Sequence, residues 1–280
     1  MRWVFLALLV GLAGCATTGE GDPRDPFEGF NRGIYKFNET VDEAIAKPVA
    51  TAYRDVVHEE IRNRVRNFFS NIGDVFIGVN NVLQGKLYDG FEDFMRVVFN
   101  STLGVFGIND VASDMGIEKH NEDFGQTFGR WGIGSGPYLV LPILGSSTVR
   151  DGAGTALDLY TDPLDDVRPM HVRNSLIVLR LTGARADLLE ASRILEQAAL
   201  DKYVFQRDAY LQRRRSLVYD GRPPREPREE EDEEDRQEKP EKQEKPGKQD
   251  EKQDKQSNSY LPRIPRNYEA VMAAGYATTP

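Results

Sequence analysis

Apolar residues recur at spacings of three and four along most of the chain, and this periodicity predicts amphipathic helices. No stretch of strict alternation matches these stripes in length, so the sequence predicts a mainly helical protein. We expect the last stripe to kink near Gly183 and to continue as helix almost to Tyr219. The stripes are Phe30, Ile34, Phe37, Val41 and Ile45; Ile61, Val65, Phe68, Phe69 and Ile72; Leu87, Phe91, Phe94, Met95, Val98 and Phe99; and Ile177, Leu181, Ala184, Leu188, Ala191, Leu195 and Ala198.

Capping signals place the start of the first helix at Asp25. Asp25 suits the N-cap, Pro26 suits the first helical position, and Glu28 suits the third, where it completes a capping box. Pro48 is expected to limit this helix, because the residue before a proline is disfavoured in helical conformation.

A glycine-rich segment interrupts the helical pattern. Four glycines between residues 129 and 136 precede an apolar run at residues 137–142 that begins and ends with proline. Dense glycine permits unusual dihedral angles, and the prolines disfavour a regular helix. We therefore expect an irregular hairpin or extended loop with an exposed apolar tip. Ser147 or Thr148 is then expected to cap a helix from about Val149 to Leu159.

The helical stripes allow two interpretations. They pack together into a soluble core, or they lie in a membrane interface with phenylalanine and leucine buried in lipid. The many aromatic residues between residues 68 and 106 favour the second interpretation slightly, but periodicity alone does not separate the two.

The N-terminus has the order of a secretory signal. Met1 and Arg2 are followed by an apolar run to Leu12, which is too short to span a bilayer stably, and small residues precede Cys15. The pattern resembles a bacterial lipoprotein box, in which the chain is cut before the cysteine and acylated on it. Ala16 then favours the outer membrane, on its periplasmic face. The alternative is that Cys15 ends an uncleaved anchor.

Composition divides the chain into five parts. We expect a cleaved signal peptide at 1–14, an acylated tether at 15–24 and one helical domain at 25–221. Residues 222–259 are so charged and so poor in apolar residues that we expect them to be disordered. Residues 260–280 regain some apolar character and form either a docking motif or a frayed terminus.

Composition and motifs also exclude several classes of function. The net charge of −9 and the lack of a basic stripe argue against nucleic acid as a partner. Gly132 and Gly134 match only the first half of a G-x-G-x-x-G loop, and no serine has the surroundings of a nucleophile elbow. We therefore predict no catalytic residue, no metal site, and no cofactor beyond the acyl and diacylglyceryl groups on Cys15. Structural or surface roles are expected for His58, His120 and His171, and turn or cap roles for Asp158, Asp162, Asp165 and Asp166.

Several motifs in matching order resemble the MlaA/VacJ lipoproteins between about Asp25 and Tyr219. The motifs are residues 25–32 (DPFEGFNR) with Tyr35, Phe37, Asn38 and 47–50 (KPVA); 80–85 (NNVLQG); 99–104 (FNSTLG); 123–129 (DFGQTFG); and 132–142 (GIGSGPYLVLP) with Gly145, Arg150, Asp151 and Gly152.

This resemblance implies a ring-like bundle of amphipathic helices in the inner leaflet of the outer membrane, with an amphipathic channel through its middle. Family members are not enzymes. They remove phospholipid misplaced in the outer leaflet and pass it to a periplasmic carrier of the MlaC type, from which it reaches an inner-membrane ABC transporter. They sit beside trimeric porins.

The resemblance also suggests candidate site residues. A gate loop at the channel maps onto Gly132, Gly134, Gly136, Pro137, Tyr138 and Leu139. A channel-proximal first helix maps onto Phe27, Phe30, Asn31, Tyr35, Phe37 and Asn38. The alternative function is a lipid-anchored periplasmic scaffold that binds envelope proteins without moving lipid.

Overall fold

The computed structural model describes residues 22–224, which form a mainly helical chain with one hairpin. A π-helical turn (Asp42–Ala46) joins α1 to α2, and a 3₁₀ turn (Pro163–Asp166) lies between α7 and α8. The expected helical class is confirmed. Cys15 and most of the predicted tether and charged tail lie outside the described residues. The elements are α1 (Glu28–Val41), α2 (Lys47–Val56), α3 (Glu59–Leu83), α4 (Leu87–Thr102), α5 (Val111–Asp114), α6 (Phe124–Arg130), β1 (Tyr138–Leu141), β2 (Gly145–Thr148), α7 (Val149–Tyr160), α8 (Met170–Asp187), α9 (Leu189–Ala198) and α10 (Lys202–Val218).

The predicted capping box at the start of α1 is wrong, although the helix begins close to the expected position. The residue before the helix is Phe27, and no side chain caps the first turn. Asp25 is buried, and its two carboxylate oxygens accept hydrogen bonds from Asn31 Nδ2 at 2.8 Å and from the Tyr203 hydroxyl at 2.5 Å. Glu28 accepts from Arg32 Nε at 2.7 Å. Tertiary partners have therefore taken the side chains that a capping box needs.

Helical structure also continues past Pro48, contrary to prediction. The π-helical turn precedes α2, and Pro48 lies in the first turn of α2. A first-turn proline is tolerated because its missing N–H has no partner within the helix in any case.

The last apolar stripe is divided between two helices, and its break lies later than predicted. Gly183 lies inside α8, and Leu188 separates α8 from α9. A second break follows α9, before Asp201 caps α10 by accepting from the backbone N–H of Tyr203 at 2.9 Å.

A hairpin with an exposed apolar tip is confirmed, but its strands are regular where an irregular hairpin or extended loop was expected. β1 pairs antiparallel with β2, and residues 142–144 form the tip, where Ile143 is 75% exposed. Thr148, one of the two predicted caps, accepts from the backbone N–H of Asp151 at 3.2 Å and begins α7.

Polar side chains occupy much of the interior, and apolar side chains occupy much of the exterior. On α4, Leu87 and Phe91 are 67% and 61% exposed, whereas Asp93 and Arg96 are 0% and 1% exposed. The polar face of this helix therefore points inward. Other buried polar residues include Asn31, Asn71, Asp74, Asn80, Asn81, Asn100, Gln126 and Thr127.

The buried apolar residues form small clusters. One cluster comprises Tyr138, Val140, Tyr203 and Tyr210, and joins the hairpin to α10. None of the helices between residues 22 and 224 combines the length and the apolar character that crossing a membrane requires.

Candidate functional site

Asn31 of α1 holds the edge of β1 that faces away from β2. Its amide donates to the Tyr138 carbonyl at 3.0 Å and accepts from the Val140 N–H at 2.9 Å. One side chain thus takes the place of a neighbouring strand. Because both backbone groups are buried, leaving them without partners would cost free energy.

Asn38 repeats this arrangement at the tip of the hairpin. It donates to the Leu141 carbonyl at 2.9 Å and accepts from the Ile143 N–H at 2.7 Å. Asn31 and Asn38 are seven residues apart, which is about two helical turns, so they lie on the same face of α1. These two predicted site residues therefore fasten the predicted gate hairpin to the first helix.

Tyr138 anchors the hairpin from the other side. Its ring is fully buried and makes edge contacts with Tyr203 and Tyr210, at centroid distances of 6.2 and 6.1 Å. Its hydroxyl lies 2.8 Å from Ser146 Oγ, across the hairpin. Tyr138 is thus a fixed point of this loop, and any movement of the loop has to occur around it.

The glycines of the predicted gate precede β1 in an exposed segment. Gly132 and Gly136 have φ angles of +91° and +66°, which side chains rarely adopt, and Gly134 has open space around its Cα. The Ser135 carbonyl accepts from the Arg150 N–H at 3.1 Å, which ties the segment to the start of α7. Pro137 and Leu139 are half-buried beside Tyr138.

The remaining predicted residues of α1 do not share one environment. Tyr35 is half-buried, and its ring makes an edge contact with that of Tyr203, with 5.7 Å between the ring centroids. Burial raises the pKa of the Tyr35 hydroxyl to about 12. Phe30 and Phe37 are exposed, and Phe27 is half-buried. The helix therefore presents amides to the hairpin and phenylalanine to its surroundings.

A charged network lies between α4 and the segment that follows it. Arg96 donates to the Ile117 carbonyl at 2.7 Å and to Asp110 Oδ1 at 2.8 Å, and its Nε lies 3.5 Å from Asp74 Oδ2. Asn100 donates to the same oxygen of Asp110 at 3.0 Å. A buried guanidinium needs such partners, because a charge removed from water without them is strongly unfavourable.

A second network joins α6, α7 and α10 around Arg214. Its guanidinium donates to Asp123 at 2.5 and 2.9 Å and to Asp151 at 3.0 and 3.1 Å. Burial favours the neutral form of both carboxyls, but the guanidinium outweighs it and lowers the pKa of each. Asp158 lies beside this network, and burial together with the charge of Asp123 raises its pKa to about 7.

An apolar cavity of about 380 Å³ lies between α3 and α8. One charged residue, Arg64, lies among its lining side chains. Its apolar walls are suited to hydrocarbon. The lining residues are Ile61, Arg64, Val65, Phe68, Phe69, Ile108, Leu176 and Leu179.

Sequence reasoning missed the buried charges, although a signal for them exists. Asp93, Arg96 and Asn100 recur at spacings of three and four, the same periodicity as the apolar stripe of α4. The apolar stripe leaves Asp93 and Arg96 on the opposite face of the helix, but the periodicity does not show that this face is buried. Of the histidines, His58 caps α3, and His120 Nδ1 lies 3.1 Å from Asp93 Oδ1. Asp162 likewise caps the 3₁₀ turn.

Comparison with known proteins assigns the chain to a family. Residues 23–217 match the model of the MlaA lipoprotein family. The chain belongs to the MlaA lipoprotein family. A relative from Escherichia coli (strain K12), named intermembrane phospholipid transport system lipoprotein MlaA, is 40% identical over 211 residues, which cover 74% of this chain and 82% of the relative.

Two further comparisons agree with this membership in the MlaA family. The protein of the same name from Haemophilus influenzae is 29% identical over 232 residues, covering 79% of this chain and 92% of the relative. A solved structure described as "Structural basis for maintenance of bacterial outer membrane lipid asymmetry" has a TM-score of 0.61 and 36% identity, and covers 69% of this chain and 98% of that chain. The resemblance expected from the sequence motifs is confirmed.

Proposed function

We propose that this protein removes phospholipid misplaced in the outer leaflet of the outer membrane and returns it towards the inner membrane, which maintains lipid asymmetry. Relatives that match most of the folded part are named as lipoproteins of an intermembrane phospholipid transport system. The protein acts without bond chemistry, as a passage for lipid.

The observation that carries this proposal is the inverted distribution of polarity. A phospholipid that leaves its leaflet must move a charged headgroup through hydrocarbon, which is costly. Helices such as α4 expose leucine and phenylalanine outward and bury aspartate and arginine inward. A ring of such helices in the inner leaflet would satisfy the acyl chains outside and offer the headgroup a polar path inside.

The apolar cavity between α3 and α8 supports a route for the acyl chains. Its walls are almost entirely hydrocarbon, and Arg64 is a cation that a phosphate group would contact. A phospholipid has the same division between apolar chains and an anionic phosphate.

The hairpin after α6 is the proposed gate. Its glycine-rich approach, residues 132–136, changes backbone conformation at low cost, whereas Tyr138 and the two α1 asparagines hold its strands. Opening would therefore involve the glycine segment and the apolar tip at Ile143, with the buried part of the hairpin staying in place.

The partners of the proposal follow from the direction of transport. Acyl and diacylglyceryl groups on Cys15 would hold the protein on the periplasmic face of the outer membrane, beside trimeric porins. A periplasmic carrier of the MlaC type would accept the lipid and deliver it to an inner-membrane ABC transporter, which supplies the energy. An acylated anchor with several chains is sufficient for stable attachment.

The test is the phospholipid content of the outer leaflet in cells that lack this protein. We expect phospholipid to accumulate at the surface, and expect the wild type but not Cys15→Ala to restore asymmetry. Immunoblots of the membrane fraction control for protein level. Unchanged asymmetry in the deletion strain, in the absence of a second homologue, would refute the proposal and favour a scaffold that binds envelope proteins.

A further inference from the structure

We propose that Asp89, Glu92 and His120 form a binding site for a divalent metal ion, and that Zn²⁺ is the ion this donor set suits best. One imidazole nitrogen and two carboxylate oxygens are ordinary zinc ligands, and three protein ligands leave a position for water. The test measures binding of the ion to the purified protein, so it does not depend on lipid transport.

The ligand atoms are close together in space although the residues come from two parts of the chain. One potential ligand atom from each of the three side chains lies within 4.8 Å of the other two. Asp89 and Glu92 are three residues apart on α4, so they project from the same side of the helix. His120 comes from the segment between α5 and α6. A bound ion would therefore tie this segment to α4.

His120 also has the hydrogen bond that metal-binding histidines usually have. Its Nδ1 lies 3.1 Å from Asp93 Oδ1, and the other oxygen of Asp93 accepts from Asn81 Nδ2 at 2.7 Å. A carboxylate accepts and does not donate, so it holds the proton on Nδ1 and leaves the lone pair of Nε2 for a metal. A carboxylate that orients a histidine ligand in this way is a regular feature of zinc sites.

The charges around the site favour a cation. Neither Asp89 nor Glu92 takes part in a salt bridge within residues 22–224, although Glu92 accepts a hydrogen bond from the exposed Tyr88 hydroxyl. The nearby ammonium group of Lys119 is directed elsewhere, to Asp74 and to Ser70. The three ligands are each half-buried, so an ion and its water can reach them from solvent.

The experiment measures Zn²⁺ binding to the purified acylated protein in detergent, after treatment with a chelator, by competition with a zinc-sensitive dye. We expect one high-affinity ion per chain. His120→Gln and Glu92→Gln should each weaken binding at least tenfold, since each removes a ligand. Both substitutions affect half-buried side chains and keep a polar group, and circular dichroism checks that the variants fold.

His171→Gln is the matched control, because this exposed histidine lies on α8 and is not one of the three ligands. It should bind Zn²⁺ like the wild type. Zn²⁺ should also raise the thermal midpoint of the wild type and leave that of His120→Gln unchanged. Absence of stoichiometric binding, or equal affinity in the wild type and His120→Gln, would overturn the proposal. So would Ca²⁺ or Mg²⁺ competing with Zn²⁺ at equal concentration, since these ions do not need the imidazole.

Discussion

The side-chain oxygen of Asn31 accepts the backbone N–H of Val140, a residue 109 positions later in the chain, at 2.9 Å. The amide nitrogen of the same side chain donates to Tyr138 two residues before it. The asparagine amide has its donor and its acceptor on two separate atoms, as a peptide group does, and here it substitutes for a strand at the edge of the hairpin. The first helix and the proposed gate are therefore mechanically coupled.

Replacing Asn31 with alanine should destabilise the protein more than replacing Asn38. Asn31→Ala removes the hydrogen bonds from Asn31 to the buried Tyr138 carbonyl and from the Val140 N–H to Asn31, and each such loss at a buried group costs about 1–3 kcal/mol. Asn38→Ala frees groups near the exposed tip, which water can satisfy, so it should loosen the gate with little loss of stability. Thermal midpoints in detergent measure the first effect, and outer-leaflet phospholipid measures the second.

Asn63→Ala is the control for these two variants, because the Asn63 amide accepts from Arg66 at the surface and makes no contact with the hairpin in the described part of the chain. It should match the wild type in both measurements. Equal midpoints for Asn31→Ala and Asn63→Ala would show that the hairpin does not need its contact with α1.

Valine at Gly134 tests the flexibility of the gate segment without a steric clash. A Cβ at Gly134 meets no atom within 4 Å, and the residue has no positive φ, so Gly134→Val should fold normally and restrict only backbone freedom. We expect impaired clearance of phospholipid from the outer leaflet at normal protein levels. Gly134→Ala restricts the backbone less than Gly134→Val, so its clearance of phospholipid should lie between that of Gly134→Val and that of the wild type. Full asymmetry with Gly134→Val would exclude a gate at this position.

Gly136→Val should impair transport for a different reason from Gly134→Val, because it strains the folded protein. Gly136 has a φ of +66°, and a Cβ there would lie 3.2 Å from the Cβ of Val149. The substitution strains the backbone and presses on the start of α7. A lowered thermal midpoint should therefore accompany any loss of transport, which distinguishes this variant from Gly134→Val.

Removing Arg96 should destabilise the fold strongly. The guanidinium is buried, and its loss leaves the nearby carboxylates of Asp74 and Asp110 short of a counter-charge. Breaking a buried pair in this way typically costs about 3–5 kcal/mol. The exposed pair Arg193–Glu190 provides the contrast, and Arg193→Ala should cost at most about 1 kcal/mol. Denaturant unfolding in detergent compares the two, and similar losses would mean that the Arg96 network is not a structural core.

The sequence predicts the helical elements and the hairpin well because their signals are local. Apolar periodicity, the glycine and proline spacing around residue 137, and the threonine before Val149 each act within a few residues. The predictions that were wrong concern features that depend on residues distant in the sequence. Asp25 has the local features of an N-cap, but Asn31 and Tyr203 bind its carboxylate, and Tyr203 is 178 positions away.

The site was predicted less completely than the fold. The resemblance points to the hairpin and to α1, but their coupling through Asn31 and Asn38 depends on tertiary contacts. The inward-facing charges of α4 were not predicted, because amphipathic periodicity does not show which face of a helix lies in the interior. The sequence predicts a structural or surface role for His120. Its proximity to Asp89 and Glu92 depends on the fold, because those two residues come from another element.

Stability should change with pH through Asp158. Its pKa is raised from 3.8 to about 7 by burial and by the charge of Asp123, so the folded state favours the protonated form. For such a group the folded protein loses stability as the pH rises from about 4 to 7, because ionisation is easier in the unfolded chain. Asp158→Asn should remove this loss and stabilise the protein at pH 8 by about 4 kcal/mol, because a shift of about three pKa units corresponds to about 1.4 kcal/mol per unit. The substitution should have almost no effect at pH 4.

Thermal midpoints of Asp158→Asn and the wild type across this pH range test the prediction. Asp165→Asn is the control, because Asp165 is exposed on the 3₁₀ turn. A constant difference between Asp158→Asn and the wild type at all pH values would show that Asp158 does not titrate in this range.

The exposed apolar face of α4 should decide whether the unacylated domain binds membranes. Phe91 and Val98 are 61% and 50% exposed and lie seven residues apart on the face opposite the buried Arg96. Both side chains are replaced with serine in a Cys15→Ala background. Since each is only about half exposed, the change removes about 1–1.5 kcal/mol per side chain of the free energy that burial in lipid would provide. We therefore expect the fraction of protein that floats with phospholipid vesicles to fall severalfold, while the thermal midpoint changes little, because neither side chain lies in the folded interior.

Asp114→Ser in the same Cys15→Ala background is the control, because it changes an exposed polar position. If the double variant floats as well as its Cys15→Ala parent, this face of α4 is not in contact with lipid, and the inner-leaflet position has to be assigned to other helices.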